Sequence, residues 1–298
     1  MGMGMIMATL GAIAFSGKAI IVKLAYRHGV DAVTLIMLRM LFALPFFLLM
    51  VWWAHRPRAG KALVALTRKD WMGVIGLGVT GYYLASYLDF AGLQYVTASL
   101  ERLILYLNPT LVLLLGWALV GRRINHLQAW GMAISYAGML LVFGHEVTLQ
   151  GANVGLGALL VFLSAISYAL YLFYSGEMVQ RLGSLRLVGL ATSIACVLCI
   201  AQFVVLRPLD SVFSVAPQVV WLSLLNATLC TVVPVMLIMM AIERIGSTLT
   251  AQVGMVGPTS TLLMGVVLLG EPLNAWIVTG TVLVLAGIAV CSRAKTTA

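Results

Sequence analysis

Long apolar runs alternate with short polar or Gly/Pro-containing breaks along almost the whole chain. Each run is close to the roughly 20 residues that an α-helix needs to cross the hydrocarbon core of a bilayer. Apolar runs of this length, separated by short breaks, are typical of membrane-spanning helices. The pattern predicts ten transmembrane helices, near residues 3–25, 31–53, 71–93, 97–119, 127–144, 155–175, 184–206, 218–242, 247–269 and 273–292.

The composition agrees with a lipid environment. The 298 residues are 62% apolar and 9% charged, against roughly 45–50% and about 25% in soluble domains. Ten helices of about 20 residues leave only short connections, so no separate soluble domain fits. The net charge of +9 could suggest a nucleic-acid partner, but the chain offers no basic stripe on a polar surface to bind one. The lipid bilayer is therefore an expected partner, and a nucleic acid is not.

Lys and Arg residues expected outside the bilayer are distributed unequally between its two sides. One side holds only Arg27 and Arg207. The other side holds twelve, namely Arg56, Arg58, Lys61, Arg68, Lys69, Arg122, Arg123, Arg181, Arg186, Arg244, Arg293 and Lys295. Because cytoplasmic loops carry an excess of Lys and Arg, this asymmetry predicts that both termini are cytoplasmic. The expected location is the cell inner (plasma) membrane.

The second half of the chain repeats the first at an offset of 149 residues, the separation of Pro109 from Pro258, which also places Asn125 on Asn274. The same offset superposes Gly116 on Gly265, Gly121 on Gly270, Gly131 on Gly280 and Gly138 on Gly287. Aligned Pro, Gly and Asn positions across two helices indicate an internal duplication. The last two glycines of each copy share one helical face and predict close helix packing.

Five helices are an odd number, so the second copy must enter the membrane from the opposite face. The predicted fold is an all-α integral membrane protein whose ten helices form a five-plus-five inverted repeat. Residues 1–146 form the first repeat, and residues 147–298 form the second. Such symmetry is typical of secondary transporters, whose substrate site lies near the midplane where the halves meet.

Pro109 and Pro258 fall in the middle of predicted helices. Each lacks a backbone donor and frees a carbonyl, which is tolerable in lipid only where protein or a wet cavity compensates. The two prolines therefore mark either packing kinks or bends beside a substrate passage.

Both copies resemble a known family. In the first copy the resemblance is carried by residues 97–142, TASLERLILYLNPTLVLLLGWALVGRRINHLQAWGMAISYAGMLLV, and in the second by residues 248–290, TLTAQVGMVGPTSTLLMGVVLLGEPLNAWIVTGTVLVLAGIAV. These segments look like the EamA-type unit of the drug/metabolite transporter superfamily. The second copy has the turn GEPL at 270–273, whereas the first departs from it with GRRI at 121–124. The resemblance implies a transporter of amino acids or other metabolites, similar to the YddG-like amino-acid exporters.

Charged side chains inside the predicted helices are concentrated in the first copy. A charge at the bilayer centre costs a few kcal/mol even on insertion scales, so such residues are candidates for function. We expect Lys18, Arg39 and Arg102 to receive a substrate carboxylate. Asp89 or Glu101 would receive an ammonium group or a proton. The alternative is that these residues form ion pairs that hold the first four helices together.

Tyrosines and a serine accompany these charges. Tyr82, Ser86 and Asp89 share one face of the third predicted helix, and Arg102 and Tyr106 share a face of the fourth. An aromatic ring with a hydroxyl suits a zwitterion or an aromatic substrate, although tyrosines also anchor helices at membrane interfaces. The predicted substrate-binding residues are Lys18, Arg39, Tyr82, Tyr83, Ser86, Glu101, Arg102, Tyr106 and Tyr168.

Patterns of catalytic or metal-binding chemistry are weak. The four histidines are isolated near helix ends, without an HExxH motif or a carboxylate at ligand spacing. Cys196 and Cys199 have CxxC spacing, but they lie in an apolar helix without a second pair. There is no Gly-rich phosphate loop for ATP. We predict no enzyme, no catalytic residue, no metal site and no cofactor.

These patterns predict a secondary transporter that exports small metabolites, foremost amino acids, by alternating access. The second hypothesis is a multidrug or quaternary-cation exporter of the same superfamily. Small multidrug resistance proteins resemble one half but carry a glutamate in their first helix, where Lys18 and Lys23 would repel cations. A membrane-embedded enzyme subunit is a third hypothesis, and it would require acids or histidines clustered at one membrane face. Asp89 and Glu101 can relay protons, but a carrier that follows the substrate gradient needs neither.

Overall fold

The computed structural model describes residues 2–56, 65–151 and 153–293, and these ranges are predominantly helical. The α-helices are α1 Gly2–Tyr26, α2 Ala32–Ala54, α3 Arg68–Gly78, α4 Ala85–Leu93, α5 Ala98–Leu105, α6 Asn108–Val120, α7 His126–Gln150, α8 Asn153–Leu182, α9 Ser184–Leu206, α10 Pro217–Ala227, α11 Val233–Gly254, α12 Val256–Met264 and α13 Ala275–Arg293. Turns of π-helix lie at Val79–Leu84, Thr228–Val232 and Gly265–Leu269, and a 3-10 turn lies at Leu209–Val212. Arg58, Lys61 and Lys295, used above for orientation, lie outside the described residues.

Eight helices within the described ranges are long and apolar enough to cross a bilayer. They are Gly2–Tyr26, Ala32–Ala54, Ala98–Val120, His126–Thr148, Asn153–Gly176, Ser184–Leu206, Pro217–Ile242 and Ala275–Ser292, with Val256–Leu269 as a shorter apolar helix. The predicted all-α membrane architecture is confirmed, while the count of ten spans stays a prediction. Large apolar side chains such as Leu49, Met72, Val205 and Val267 are exposed on the outside, as lipid requires.

Local sequence signals explain where several helices begin. The third predicted helix begins at Arg68 instead of residue 71, because Thr67 and Asp70 form a capping box. In this box the Thr67 side chain accepts the Asp70 N–H at 3.3 Å, and Asp70 accepts the Thr67 N–H at 2.7 Å. The helices α7 and α8 run beyond the predicted 127–144 and 155–175, because their polar last turns continue the helix instead of forming loops.

Helix α7 packs against α13 through the repeated glycines. A Cβ added at Gly131 would lie 2.7 Å from the Gly287 carbonyl oxygen, and one added at Gly138 would lie 2.7 Å from that of Gly280. Partner numbers fall along α13 as they rise along α7, so the two helices are antiparallel. The offset of 149 exchanges these two contacts with each other. The pair therefore has the local two-fold relationship that an inverted repeat requires.

The repeat extends to the ends of helices. Gly121 and Gly270 follow equivalent helices in the left-handed conformation, with φ of 68° and 72°, where glycine has no Cβ penalty. The side chains of Asn125 and Asn274 accept the backbone N–H three residues ahead, at 2.7 and 2.9 Å. These pairs support two copies as structural units. We propose the division near residue 146, although α7 itself continues to Gln150.

The helix interruptions are also repeated. The π-helical turns Val79–Leu84 and Thr228–Val232 begin at positions 149 residues apart. The sequence pattern placed Pro109 and Pro258 in the middle of helices, and this prediction was wrong. The break falls just before each proline, since Pro109 lies in the first turn of α6 and Pro258 in the first turn of α12. Proline suits a first turn, where its missing N–H would have no intrahelical partner.

Candidate functional site

A cavity of about 520 Å³ lies inside the bundle, between helices of both copies. Its volume is within the range of about 300–1,000 Å³ that is usual for small-molecule sites. The polar and charged residues in its wall are Lys18, Arg39, Tyr82, Ser86, Asp89, Arg102, Tyr106, Asn108, Ser164, Tyr168, Tyr171, Ser175, Thr192 and Thr231. The rest of the wall is mainly apolar and includes Phe15, Phe47 and Ile242.

Seven of the nine predicted binding residues line this cavity, namely Lys18, Arg39, Tyr82, Ser86, Arg102, Tyr106 and Tyr168. Tyr83 does not, because it follows Tyr82 by about 100° around the helix and packs against the apolar cluster of α1 and α2. Glu101 also lies outside the wall and is fully buried. The structure thus brings most of the predicted set together, while their role in binding stays a prediction.

The buried acids and Lys18 form one cluster. The Lys18 Nζ atom lies 2.5 Å from Asp89 Oδ2 and 3.3 Å from Glu101 Oε1. Asp89 Oδ1 and both Glu101 oxygens have no hydrogen-bond donor within the described parts of the chain. The contacts fit the ion-pair alternative, while the binding role of Lys18 and Asp89, which also line the cavity, stays a prediction.

Two arginines in the cavity wall have no carboxylate partner among the described residues. Arg39 Nε donates to Thr231 Oγ1 at 3.1 Å, and its Nη1 atom is buried without a hydrogen-bond partner in those ranges. Arg102 Nη2 donates to Ser16 Oγ at 3.2 Å, and its Nε atom is likewise unpaired. The Arg102 guanidinium also lies 5.1 Å from the centroid of the Tyr106 ring. Free guanidinium donors beside a cavity favour an anionic group of a ligand.

Three tyrosines form an aromatic part of the cavity wall. The Tyr82 and Tyr171 hydroxyls are 3.1 Å apart, and their rings meet edge to face at 5.1 Å. The Tyr168 ring stacks on Tyr171 at 5.5 Å. Tyr171 was not among the predicted site residues, although its helical spacing from Ser164 and Tyr168 was a usable signal.

Other wall residues were missed because the sequence gives them no distinctive spacing. Asn108 lies at the interruption before α6, and its Oδ1 atom is buried without a partner in the described ranges. Thr192 of α9 and Thr231 of the second copy are single hydroxyls in apolar helices. Only the folded arrangement places them beside the charged residues.

The helix interruption at Pro258 is compensated by the first copy. Because Pro258 has no N–H, the Gly254 carbonyl lacks its usual intrahelical donor. The Tyr106 hydroxyl donates to this carbonyl oxygen at 2.8 Å. Ser16 Oγ donates to the Gly257 carbonyl oxygen at 2.9 Å. The break before Pro258 therefore lies beside the cavity, and side chains from the opposite copy satisfy its carbonyls.

Hydrogen bonds within and between the copies are concentrated at one end of the bundle. We call it the distal face, where α1 ends and α5 begins, and we call the other end, where α1 begins and α2 ends, the terminal face. At the distal face Glu271 Oε1 accepts the Ala98 N–H at 2.7 Å, and Glu271 Oε2 accepts the Ser99 hydroxyl at 2.7 Å. The Glu146 carboxylate accepts the Thr97 hydroxyl and lies 3.4 Å from the Thr97 nitrogen. The two carboxylates cap the N-terminus of α5, where negative charge is favourable.

Further hydrogen bonds at the distal face join α1 to α4. The Tyr26 hydroxyl donates to the Phe90 carbonyl oxygen at 2.6 Å. Lys23 Nζ donates to the carbonyl oxygens of Val96 at 2.8 Å and Leu93 at 3.2 Å. A second cavity of about 470 Å³, whose wall includes Lys23, Tyr26 and Glu271, lies at this face.

The described ranges contain no group of three or more His, Cys, Asp or Glu side chains close enough to hold a metal ion. Cys196 and Cys199 are buried among apolar residues of α2 and α9, and Cys196 Sγ lies 3.7 Å from Met40 Sδ. These thiols contribute to packing.

An apolar helical bundle of two inverted copies around a charged cavity defines a multi-pass membrane transport protein. The chain belongs to the EamA-like transporter family, whose sequence profile matches residues 2–144 and 155–293. It is therefore a membrane transporter, with the lipid bilayer as its environment and a small molecule as its substrate.

Relatives and a solved structure agree with this assignment. The chain is 30% identical over 279 residues to the uncharacterized transporter YcbK of Bacillus subtilis (strain 168), covering 91% of this chain and 86% of YcbK. It is 22% identical to an uncharacterized transporter of Archaeoglobus fulgidus, covering 92% of each protein. A crystal structure with 18% identity superposes on 97% of this chain and 96% of its own with a TM-score of 0.64, which shows a shared fold.

Proposed function

We propose that the protein is a secondary transporter that exports small metabolites, foremost amino acids, across the cell inner membrane by alternating access. The observation that carries this proposal is the pairing of opposite charges in one cavity wall. Arg39 and Arg102 offer guanidinium donors without carboxylate partners, and Asp89 offers a carboxylate oxygen without a donor. An α-amino acid presents the matching carboxylate and ammonium groups.

The cavity also has room for a side chain. Tyr82, Tyr168 and Tyr171 form an aromatic wall that suits an apolar or aromatic side chain. The charges bind the two groups that all amino acids share, whereas the tyrosine wall contacts the part that differs. This division favours several related substrates over a single one. A YddG-like amino-acid exporter is accordingly the subtype that we propose.

Alternating access is supported by the unequal ends of the bundle. At the distal face the Glu271 and Tyr26 contacts close the passage. In the other direction the wall of the central cavity continues past Ser175 to Ile242, near the ends of helices at the terminal face. We infer that the cavity opens toward the terminal face. The excess of Lys and Arg at that face makes it the cytoplasmic side in this proposal.

A quaternary-cation exporter is the second candidate. The π faces of Tyr82, Tyr168 and Tyr171 favour it, because aromatic rings bind organic cations. Three cationic side chains oppose it, because among the described residues of the cavity wall Asp89 is the one acid, and it is already paired with Lys18. We therefore rank amino acids first.

Counterflow in proteoliposomes tests the proposal. The purified chain is reconstituted, loaded in turn with each unlabelled amino acid, a nucleoside or tetraphenylphosphonium, and given the labelled form outside. We expect saturable counterflow of several amino acids above empty liposomes. Arg39→Met should abolish it, whereas Arg207→Met, a partly exposed ion-pair residue at the distal face, should retain it. Counterflow of tetraphenylphosphonium alone would replace the amino-acid assignment with the second candidate.

A further inference from the structure

We propose that Glu101 is the proton-binding site of the transporter and that it releases its proton when a substrate ammonium group binds at Asp89. This inference rests on the proposed function in one respect, namely that the substrate carries an amino group. It assigns a coupling ion to the transport cycle, which the family membership leaves open.

The contacts of Glu101 leave it without enough donors for an ionised carboxylate. Its side chain has 0% exposure. Its nearest cation is Lys18 Nζ at 3.3 Å, and neither carboxylate oxygen accepts a hydrogen bond from the described residues. The same Lys18 Nζ lies 2.5 Å from Asp89 Oδ2. One ammonium group thus faces two carboxylates, and a buried carboxylate without hydrogen bonds is costly.

The other charged groups near Glu101 already have different partners. On α1, Lys23 donates to the carbonyl oxygens of Leu93 and Val96. At the start of α5, Glu146 of α7 and Glu271 accept hydrogen bonds from residues 97–99. On α5 itself, Arg102 donates to Ser16, and the Tyr106 hydroxyl donates to Gly254. On α2, Arg39 donates to Thr231.

Three further helices pack on α5 without adding charge. The stretches at 153–176 of α8, 256–264 of α12 and 275–292 of α13 contain no acidic or basic residue. Tyr168 of α8 stacks on Tyr171 and lines the central cavity. Among the described residues Lys18 is the cation in ion-pair contact with Glu101, while Asp89 and Arg102 act on it through space.

Protonation of Glu101 balances this cluster in the empty state. Lys18 and Asp89 then carry one charge each, and Glu101 is neutral. When a substrate ammonium group pairs with Asp89, Lys18 is released from Asp89. Its Nζ atom, 3.3 Å from Glu101 Oε1, then moves into hydrogen-bond contact with Glu101. Glu101 then transfers its proton to water in the cavity. Two positive and two negative charges now face each other, so the sum stays zero, and one proton is exchanged for one ammonium group.

Infrared spectroscopy of the full chain in lipid nanodiscs tests the proton site without any substrate. At neutral pH we expect the C=O band of a protonated carboxylic acid, identified by its shift in D₂O, and we expect Glu101→Gln to lose it. Asp89→Asn should lose it as well, because Lys18 is then free to pair with Glu101. Asp210→Asn, on the exposed 3-10 turn, is the control and should keep the band. A band of the same intensity in Glu101→Gln and in the wild type, or no band in the wild type, would overturn the proposal.

A transport measurement tests the coupling separately. Proteoliposomes are given labelled amino acids with and without an imposed pH gradient, and the ratio of the two accumulations is recorded. We expect the gradient to raise accumulation in the wild type and this effect to be lost in Glu101→Gln. Wild-type counterflow without any effect of the gradient would overturn proton exchange but leave the proposed function intact. The infrared band together with no amino-acid counterflow would instead reject only the substrate assignment.

Discussion

Glu271 accepts the backbone N–H of Ala98 at 2.7 Å, and this contact joins the turn of the second copy to the first turn of α5 in the first copy. The second Glu271 oxygen accepts the Ser99 hydroxyl at 2.7 Å and lies 3.3 Å from the Ser99 nitrogen. A carboxylate that caps a helix N-terminus gains both charge-assisted hydrogen bonds and a favourable dipole interaction. The closure of the distal face therefore depends on this charge.

The two copies differ at the position of this cap, so the contact occurs at the distal face and not at the terminal face. The residue equivalent to Glu271 in the first copy is Arg122, which follows α6 at the terminal face. A guanidinium has no acceptor and cannot cap a helix N-terminus. Arg122 instead lies over the Phe173 ring at 6.0 Å. The difference between these two equivalent residues supports the proposed state, in which the distal face is closed and the central cavity opens toward the terminal face.

Replacing Glu271 should therefore shift the protein toward a state that is open at the distal face. Glu271→Gln keeps the shape but removes the charge, and a loss of about 1.4 kcal/mol changes an equilibrium roughly tenfold. A single Cys at Ser86, in the cavity wall, reports the change in a background without the four native cysteines. We expect a membrane-impermeant thiol reagent to label it faster from the distal face and more slowly from the terminal face.

The matched control is Asp210→Asn, which removes an exposed carboxylate from the same face without touching the cap. Its labelling rates should equal those of the parent protein. Equal rates for Glu271→Gln and the parent would mean that this carboxylate does not hold the distal face closed.

Much of the fold could be predicted because its signals are local or repeated. Apolar runs gave the helices, and the 149-residue offset anticipated the paired caps at Asn125 and Asn274. The Glu271 cap could not be predicted in this way, since its partner Ala98 lies 173 positions away. The sequence around a turn residue does not indicate which helix end its side chain will contact.

The candidate site shows the same limit. Intramembrane charge alone indicated Lys18, Arg39 and Arg102, because charge is rare enough in lipid to stand out. Helical periodicity placed Tyr82, Ser86 and Asp89 on one face, and all three line the cavity, whereas Tyr83 lies off that face and does not line it.

The glycine contact between α7 and α13 predicts a cost for a single methyl group. A Cβ at Gly138 would lie 2.7 Å from the Gly280 carbonyl oxygen, so the two helices must separate to admit it. Overpacking of this kind typically costs about 1–3 kcal/mol. We expect Gly138→Ala to lower the thermal unfolding midpoint in nanodiscs. Gly287→Ala, at the equivalent position of the second copy, should lower it by a similar amount.

Gly144→Ala is the matched control for this pair, because it lies on the same helix and its added Cβ would meet no atom within 4 Å. It should leave the midpoint unchanged or raise it slightly, since alanine favours a helix over glycine by roughly 1 kcal/mol. A Gly138→Ala protein as stable as Gly144→Ala would show that α7 and α13 do not pack this closely.

The first turn of α2 predicts a pH dependence of stability at the distal face. Asp31 Oδ2 accepts the Val33 N–H at 3.0 Å and Oδ1 accepts the Thr34 hydroxyl at 2.6 Å, while Arg207 Nη2 lies 3.2 Å from Oδ2. Burial opposes ionisation of this carboxyl, but the hydrogen bonds from Thr34 and Arg207 outweigh it and hold the pKa of Asp31 below its ordinary value. Because the folded state prefers the ionised form, its contribution is fully present above the unfolded pKa of about 4 and is lost as the pH falls through the lower folded pKa.

Asp31→Asn isolates that contribution, since the amide still caps α2 but carries no charge. At neutral pH we expect the variant to unfold at a lower temperature than the wild type, and we expect this difference to shrink as the pH falls through the lowered folded pKa of Asp31. Thermal unfolding in nanodiscs across this range measures the difference, with Asp210→Asn as the control that should follow the wild-type curve. Midpoints separated by the same interval at every pH would show that the charge of Asp31 does not stabilise this end of α2.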